Sequence, residues 1–240
     1  ADFRLKKASN FLKWYKINHK AKNMIKHSVY ALPEIKRDII RFSKIISCPG
    51  CYPTSILLPL IPLLKNNLVS NKNIIIDSKS GYSGAGRGVH KKYKDQNLYE
   101  SLSAYGLAIH RHNSEIQQEL DLNTGKINKF HFTPHLTPMF RGILSTIYVD
   151  LKKNVNINKI IAELKKYFKK EKFVKISKPD KLLSTNDVIN TNNCIISVCN
   201  SKYKDKIIIL SIIDNLIKGG SGQAVQNMNI RFNFKESEGL

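Results

Sequence analysis

The sequence lacks the long apolar run of a transmembrane helix. No stretch of its 240 residues approaches the roughly 18 uninterrupted apolar side chains that a bilayer-spanning helix needs. Residues 1–7 also lack the apolar core of a secretory signal peptide. With 42% hydrophobic residues the chain can still build a proper core. These features predict a globular, cytoplasmic protein with no membrane partner.

Cysteine is scarce, with four in the chain, which favours packed or reactive thiols over a disulfide framework. Cys48 and Cys51 have the spacing of metal ligands, and His131 with His135 can supply two more donors. A second Cys-x-x-Cys is missing, however, and the flanking chain lacks the plan of a thioredoxin-like redox domain. The other two cysteines fall in an apolar segment, 194–199, where we expect them to pack in the core. The sequence therefore predicts no metal site.

Acidic residues and arginine are both few. Lysine and arginine total 40 against 18 acidic residues, giving a net charge of +22, but only 7 of the 40 are arginine. A nucleic-acid reader more often clusters arginine with exposed aromatic side chains. The densest lysine run, 165–170, falls on a helical apolar pattern and is typical of a solvated helix face. We therefore predict no nucleic-acid partner, although the charge can steer an anionic substrate.

The most informative residue is Cys51, which lies in a predicted strand–turn–helix unit. A short strand at 45–47 precedes it and a strongly apolar helix at 54–65 follows. Pro53 is tolerated in a first helical turn, so Cys51 falls at or just before the helix N-terminus. Free N–H groups and the helix dipole stabilise a thiolate there. We expect Cys51 to be a nucleophile, the alternative being a buried structural cysteine.

The remaining pattern is α/β at first and β-rich in the second half. The predicted helices are 8–14, 34–42, 155–170 and one starting near Ser221, and the predicted strands are 73–77, 142–151, 194–199 and 206–213. The strand at 73–77 is apolar throughout, as in parallel sheets buried on both faces. The last helix is expected to bury Ala224, Val225 and Met228.

Two further segments carry chemistry. Residues 78–88 place four glycines within eight positions, where backbone N–H groups can approach a ligand and Arg87 adds a cation for phosphate or carboxylate. The segment fits neither the Walker loop nor the Gly-x-Gly-x-x-Gly fingerprint, and alone such a turn is more often a connection. The second segment is His110-Arg111-His112, whose imidazoles can exchange protons near neutral pH.

Many ordered segments together resemble the N-acetyl-gamma-glutamyl-phosphate reductase family of the semialdehyde dehydrogenases, over nearly the whole chain. The matching segments are 1–5, 29–34, 49–54, 77–81, 83–87, 105–106, 110–112, 132–136, 138–139, 141–144, 214–219 and 222–229. The resemblance implies NADPH-dependent reductive dephosphorylation of N-acetyl-glutamyl phosphate, a small-molecule acyl phosphate, to the semialdehyde. It also implies that Cys51 forms a thioester and that His110 is the acid and base.

The resemblance also implies binding roles. Arg111, His112 and Arg87 would hold the phosphate or carboxylate of the substrate. The residues implied to contact NADP(H) near its nicotinamide are Ser80, Gly81, Ser83, Gly84, Ala85, Gly86, Asn215 and Gln223. The preference for His110 over His112 as acid and base rests on the family pattern alone.

The implied fold is α/β plus α+β. It combines a partial Rossmann-type domain with a mixed-sheet catalytic and dimerisation domain like that of glyceraldehyde-3-phosphate dehydrogenase. Residues 1–50 are expected to be a remnant of the NADP-binding domain, 51–213 the catalytic and dimerisation domain, and 214–240 a helix returning to the first. By analogy with the family we expect a homo-oligomer, a dimer or tetramer.

Two departures from the family pattern matter. Cys48 stands where the family usually has Asn, and losing one such oxyanion donor typically costs about a hundredfold in rate. The sequence also starts after the family's glycine-fingerprint half, so we expect the 240-residue chain alone to bind NADPH weakly or not at all. Two alternatives stay open. One is a sister enzyme for aminoadipyl or aspartyl phosphate, and the other is a non-catalytic fragment that pairs with a separate nucleotide-binding chain.

Overall fold

The computed structural model describes residues 2–85 and 100–240. Its helices are α1 (Ala8–Tyr15), α2 (Pro33–Phe42), α3 (Cys51–Lys65), α4 (His112–Thr124), α5 (Ile157–Tyr167) and α6 (Ser221–Phe232). Its strands are β1 (Ser28–Tyr30), β2 (Ile45–Ser47), β3 (Ile74–Gly81), β4 (Ser103–Ala104), β5 (Phe130–Thr137), β6 (Ile143–Asp150), β7 (Val174–Ile176), β8 (Cys194–Asn200) and β9 (Lys206–Ile213). Among these described residues, no helix is long and apolar enough to cross a bilayer.

A seven-stranded mixed sheet forms the centre of the fold, in the order β4-β5-β3-β6-β9-β8-β7. β3 runs parallel to β5 and antiparallel to β6. α3 packs against β6 and β9, with α4 and α5 beside it. Every residue of α3 from 52 to 64 is buried, because the helix is apolar all round and lies between the sheet and its neighbours. The predicted α/β and α+β mixture is confirmed.

Among the described residues, no α-helix covers the opposite face of this sheet, and the segment with Leu183 and Val188 packs on only part of it, against Ile212. Ile74 and Ile76 are buried, but Ile75 between them is 48% exposed. Tyr148 on β6 lies opposite Ile75 and is 42% exposed. The prediction of a strand buried on both faces is therefore wrong. The physical reason is that β3 has an antiparallel neighbour in a sheet with helices on one side, so its side chains alternate.

A row of buried serines fixes α3 to the middle of the sheet. Ser78, Ser145 and Ser211 occupy matched positions on β3, β6 and β9. The Ser145 hydroxyl lies 2.7 Å from the hydroxyls of Ser78 and of Ser55, which belongs to α3. Each of these serines is fully buried. The N-terminal turn of α3 is thus held to the sheet by hydrogen bonds as well as by apolar packing.

A second, smaller sheet consists of β1 and β2 alone, which run parallel. α2 connects them, and α6 packs against α2. Val29, Ala31, Ile40 and Ile230 form a separate apolar cluster between these elements. The end of β2 leads directly into the turn before α3. This unit is therefore joined through that turn to the helix that carries Cys51.

The buried face of α6 differs from the prediction. Ala224 and Met228 are exposed and Val225 is half-buried. The helix instead buries Gly222, Gln223, Gln226, Asn227, Asn229 and Ile230. Apolar content misidentified the inner face because the amide nitrogens of Gln223, Gln226 and Asn227 donate to distant segments, which offsets part of the cost of their burial.

Candidate active site

The turn before α3 places Cys51 at the first position of that helix, as predicted. Gly50 is the N-cap, with an extended backbone at φ −68° and ψ 159°. The carbonyl of Gly50 accepts hydrogen bonds from the backbone N–H and the hydroxyl of Thr54, both at 3.1 Å. Pro53 lies in the first turn, where its missing N–H leaves no gap in the helix.

Cys51 opens into a small cavity of about 230 Å³. The cavity contains the residues that the sequence singled out for acyl transfer and part of the glycine-rich segment. It is lined by Arg4, Tyr15, Cys51, Tyr52, Ser80, Gly84, Tyr105, His110, Arg111 and His112. A larger cavity of about 800 Å³ lies between α1 and α4 and is lined by neither Cys51, His110 nor His112, so we place the candidate site in the smaller one.

The thiol of Cys51 is not ionised at neutral pH in this structure. Burial raises the pKa of Cys51 to about 11, and this effect outweighs the backbone N–H groups at the helix N-terminus, which lower it. The expectation of a stabilised resting thiolate is therefore wrong. The helix terminus does act in the predicted direction, but the desolvation of the sulfur is larger.

His110 is held in one tautomer. Its Nδ1 accepts a hydrogen bond from the backbone N–H of His112 at 3.1 Å, so the proton of the neutral ring is on Nε2. The ring packs edge-on against Tyr52 and Tyr105, with centroids 5.7 and 5.4 Å away. Burial, followed by the influence of His112, lowers the pKa of His110 to about 3. His110 is thus a neutral donor facing the cavity of Cys51.

His112 lies against the residue next to Cys51. A Cβ placed on Gly50 would lie 2.3 Å from Nε2 of His112, so only glycine leaves room for the imidazole. Burial, and then the positive charges of Arg4 and Arg111, lower the pKa of His112 to about 3. Its Nδ1 is buried and has no hydrogen-bond partner among the described residues. That nitrogen therefore has an unsatisfied hydrogen-bonding capacity.

Glu115 on α4 is a central residue that the sequence analysis missed. One carboxylate oxygen accepts hydrogen bonds from the Gly50 N–H and the Tyr30 hydroxyl, both at 3.0 Å. The other accepts from Arg4 at 3.1 Å and lies 3.9 Å from Nε2 of His112. Its side chain is fully buried. No local sequence pattern distinguishes this glutamate, because its partners are far away in the chain.

Arg4 was also missed, although the segment that contains it matched the family. Its Nε donates to the carbonyl of Cys48 at 2.8 Å, and its Nη2 reaches the carbonyl of Pro49 at 3.4 Å. Arg4 therefore binds both carbonyls before Gly50 while its charge faces the cavity. Arg111 is exposed at the rim, where its guanidinium stacks 5.2 Å above the ring of Tyr15.

Some of the residues expected near the cofactor line the cavity, and others lie behind its wall. Ser80 and Gly84 line the cavity. The amide of Asn215 donates to the Ser83 hydroxyl at 3.0 Å and accepts from the Gly142 N–H at 2.6 Å. Asn215 thus holds the glycine-rich segment beside the cavity without lining it.

Gly81 and Ala85, at the ends of the described glycine-rich segment, differ in exposure, with Gly81 buried and Ala85 exposed. Gln223 is fully buried and donates to Thr54 of α3 at 3.0 Å, so it supports α3 and does not line the cavity. Gly86 and Arg87 lie outside the described residues.

All four cysteines are free thiols. Cys48 is half-buried, and its sulfur accepts a hydrogen bond from Asn227 at 3.6 Å. Cys194 is fully buried and Cys199 half-buried, so the expected core packing is confirmed for Cys194. Within residues 2–85 and 100–240, no group of three His, Cys, Asp or Glu residues is arranged to hold a metal ion.

Comparison with known proteins identifies the family. Residues 51–215 match the family described as semialdehyde dehydrogenase, dimerisation domain. Over 240 residues the chain is 47% identical to the N-acetyl-gamma-glutamyl-phosphate reductase of Desulforamulus reducens, covering 100% of this chain and 69% of that protein. The chain belongs to the N-acetyl-gamma-glutamyl-phosphate reductase family.

Further relatives support this membership of the reductase family. The probable chloroplastic N-acetyl-gamma-glutamyl-phosphate reductase of Arabidopsis thaliana is 46% identical over 245 residues, covering 100% of this chain and 60% of that protein. Among solved structures, aspartate semialdehyde dehydrogenase II of Vibrio cholerae has a TM-score of 0.69 at 15% identity, covering 94% of this chain and 77% of that one. The second likeness concerns the fold alone.

The contact between Gly50 and His112 gives a direct prediction. In a Gly50→Ala variant the new methyl group displaces the imidazole, and regained solvent raises the pKa of His112 from about 3 toward its ordinary value of 6.5. The measurement is an NMR pH titration of the histidine ring protons. Gly125→Ala controls for general backbone strain, because a side chain is strained at its φ of +65° although the added Cβ meets nothing within 4 Å. An unchanged His112 titration in Gly50→Ala would contradict the placement of the ring.

Proposed function

We propose that this chain provides the catalytic part of an NADPH-dependent reductase that converts N-acetyl-glutamyl 5-phosphate to N-acetyl-glutamate 5-semialdehyde in arginine biosynthesis. The observation that carries the proposal is one cavity containing a cysteine at a helix N-terminus and two neutral imidazoles. These are the groups that acyl transfer from a phosphate to a thiol requires. The names of the relatives supply the substrate class.

Acyl transfer begins at Cys51. Its sulfur attacks the acyl carbon, a C–S bond forms, the C–O bond to phosphate breaks and inorganic phosphate leaves. The thiol proton must go to a base, and the unpartnered Nδ1 of His112 is the candidate acceptor. Backbone N–H groups at the start of α3 can stabilise the developing oxyanion. The positive charges of Arg4 and Arg111 face the same cavity and favour an anionic substrate.

His110 fits the role of proton donor in the second half of the reaction. NADPH, when bound, supplies the hydride that reduces the thioester. Because Nδ1 of His110 is occupied, Nε2 is the atom that delivers a proton to the carbonyl oxygen. The same nitrogen takes the proton back as the C–S bond breaks and the semialdehyde leaves. The sulfur of Cys51 then recovers its proton, and the enzyme is unchanged.

Ser80 and Gly84 are the described residues best placed to contact the nicotinamide, because they line the cavity beside Cys51. A Cβ on Gly84 would lie 2.9 Å from the Ser80 hydroxyl, so glycine keeps that wall thin. Asn215 holds the adjoining Ser83 in place. This arrangement fits a flat ring entering from the glycine-rich side.

The small β1–β2 sheet supports the proposed domain division. Parallel sheets are seldom built from two strands alone, since their stability comes from burial on both faces. We therefore assign residues 1–50 and 214–240 to a nucleotide-binding unit and residues 51–213 to the catalytic unit. A cytoplasmic location stays a prediction. A non-catalytic role alongside a separate nucleotide-binding chain stays the alternative.

The open face of the seven-stranded sheet is the proposed contact between two copies of the chain. Ile75 and Tyr148 are exposed there, beside half-buried Ile208 and Leu210. The matched family is described as a dimerisation domain.

We predict that Tyr148→Glu places a charge in this contact and weakens the dimer at least about tenfold. A tenfold loss corresponds to about 1.4 kcal/mol of association free energy. Sedimentation velocity measures this association. The control is Lys166→Glu, at an exposed position of α5 on the other side of the sheet. Unchanged association of Tyr148→Glu would exclude this face.

The acyl-transfer half of the proposal can be tested without bound NADPH. Freshly prepared N-acetyl-glutamyl phosphate is expected to release one equivalent of phosphate and to acylate Cys51, as located by peptide mass spectrometry. Cys51→Ser abolishes the thioester, whereas Cys48→Ser retains it. Because His112 is the proposed base, His112→Gln slows acylation by about a hundredfold or more, and His110→Gln slows it less.

The substrate control uses aspartyl phosphate and aminoadipyl phosphate in the same assay. Faster acylation by either one would favour a sister enzyme over the proposed substrate. No acylation of Cys51 by any of the three would support the non-catalytic alternative.

A further inference from the structure

The most unusual charged group outside the cavity is Lys218, whose side chain is completely buried. Its ammonium donates to a carboxylate oxygen of Glu34, also completely buried, at 2.6 Å. It also donates to the side-chain oxygen of Gln226 at 2.7 Å. The ammonium holds the pKa of Glu34 below its usual value although burial acts in the opposite direction. The Glu34 carboxylate is therefore charged at neutral pH.

A buried ion pair is by itself weak evidence that the pair stabilises the fold. Removing two charges from water costs about as much as their attraction returns, and apolar replacements are often neutral or stabilising. Here the pair joins segments far apart in the chain, since Glu34 is in the first turn of α2 and Lys218 precedes α6. Gln226 completes the group by donating to Glu34 at 3.0 Å. The cost of burying the pair calls for a role besides stability.

The backbone next to Lys218 contacts the nucleophile. A Cβ placed on Gly219 would lie 2.6 Å from Cβ of Cys51, so the chain at this position lies directly against the cysteine. The segment 214–220 is anchored on its other side by Asp214, whose carboxylate accepts hydrogen bonds from the Asn190 N–H at 2.9 Å and from Arg141 at 3.3 Å. Lys218 is the anchor that faces away from the cavity, toward α2 and α6.

We propose that Lys218, through its buried pair with Glu34, is a positioning residue that holds the Gly219 backbone against Cys51. The inference deepens the proposed function, because it concerns how the nucleophile is held and shielded. Without the pair, the segment 214–220 loses its attachment to α2 and moves off the sulfur. Cys51, which is half-buried beside the cavity, then becomes more exposed to water, and the thiol is less well aimed at a bound acyl group.

The test replaces the charged side chains of the pair by uncharged ones and measures the reactivity of the Cys51 thiol. Lys218→Met and the double variant Lys218→Met/Glu34→Gln are compared with the wild type by iodoacetamide alkylation from pH 6 to pH 10. Since burial raises the pKa of Cys51, exposure lowers it, and alkylation of Cys51 at pH 8 is expected to rise at least about tenfold. Acylation by the acyl phosphate is expected to fall about tenfold or more.

The opposite signs of these two changes separate positioning from loss of fold. Cys194 is completely buried, so its alkylation reports unfolding, and it is expected to stay unreacted in the double variant. Lys206→Met is the matched control, because Lys206 pairs with Asp150 at the exposed first position of β9. Lys218→Arg, which retains the charge, is expected to restore part of the acylation rate.

A wild-type alkylation profile for Cys51 in a folded double variant would overturn the positioning role. The alkylation readout does not depend on the reaction. If the wild type itself is not acylated, the proposed function fails, and the alkylation comparison still decides whether Lys218 shields Cys51.

Discussion

The arrangement around Cys51 depends on the buried carboxylate of Glu115. Its two oxygens accept three hydrogen bonds, from Gly50, Tyr30 and Arg4, and these donors belong to three separate segments of the chain. A carboxylate is the side chain that can accept at both oxygens, and the charged Arg4 offsets the cost of burying it. The Glu115 carboxylate therefore joins α4, which begins at His112, to the turn that presents Cys51.

Desolvation determines the resting electrostatics of the site. The pKa of Cys51 is about 11, and those of His110 and His112 are about 3, so the thiol and both imidazoles are neutral before substrate binds. The charges that remain are those of Glu115 and the arginines. A site of this kind protects the sulfur from solution chemistry. The proposed acyl transfer requires the thiol proton to move to an adjacent group while the acyl phosphate is bound.

Local signals were sufficient for much of the fold and for the position of Cys51 at the start of a helix. The predicted strands 45–47 and 206–213 coincide with β2 and β9, and the thiol lies at the start of α3 as expected. α4 and β5 were not predicted, because α4 buries Ser114, Glu115 and Glu119 and lacks a clear apolar face. Other polar side chains are buried in the same way, namely those of Glu115, Lys218 and the polar face of α6. Their burial is made possible by distant partners that no local pattern contains.

The most direct test of the account is the rate of Cys51 acylation in a Glu115→Gln variant. An amide has one acceptor oxygen, so its NH2 group must face either Arg4 or the donors of Gly50 and Tyr30. We predict at least about a tenfold loss of acylation rate in the folded variant. Glu119→Gln, which affects the pair with Lys36 one turn along α4, is predicted to retain the rate. A wild-type rate in Glu115→Gln would contradict the claim that this carboxylate organises the site.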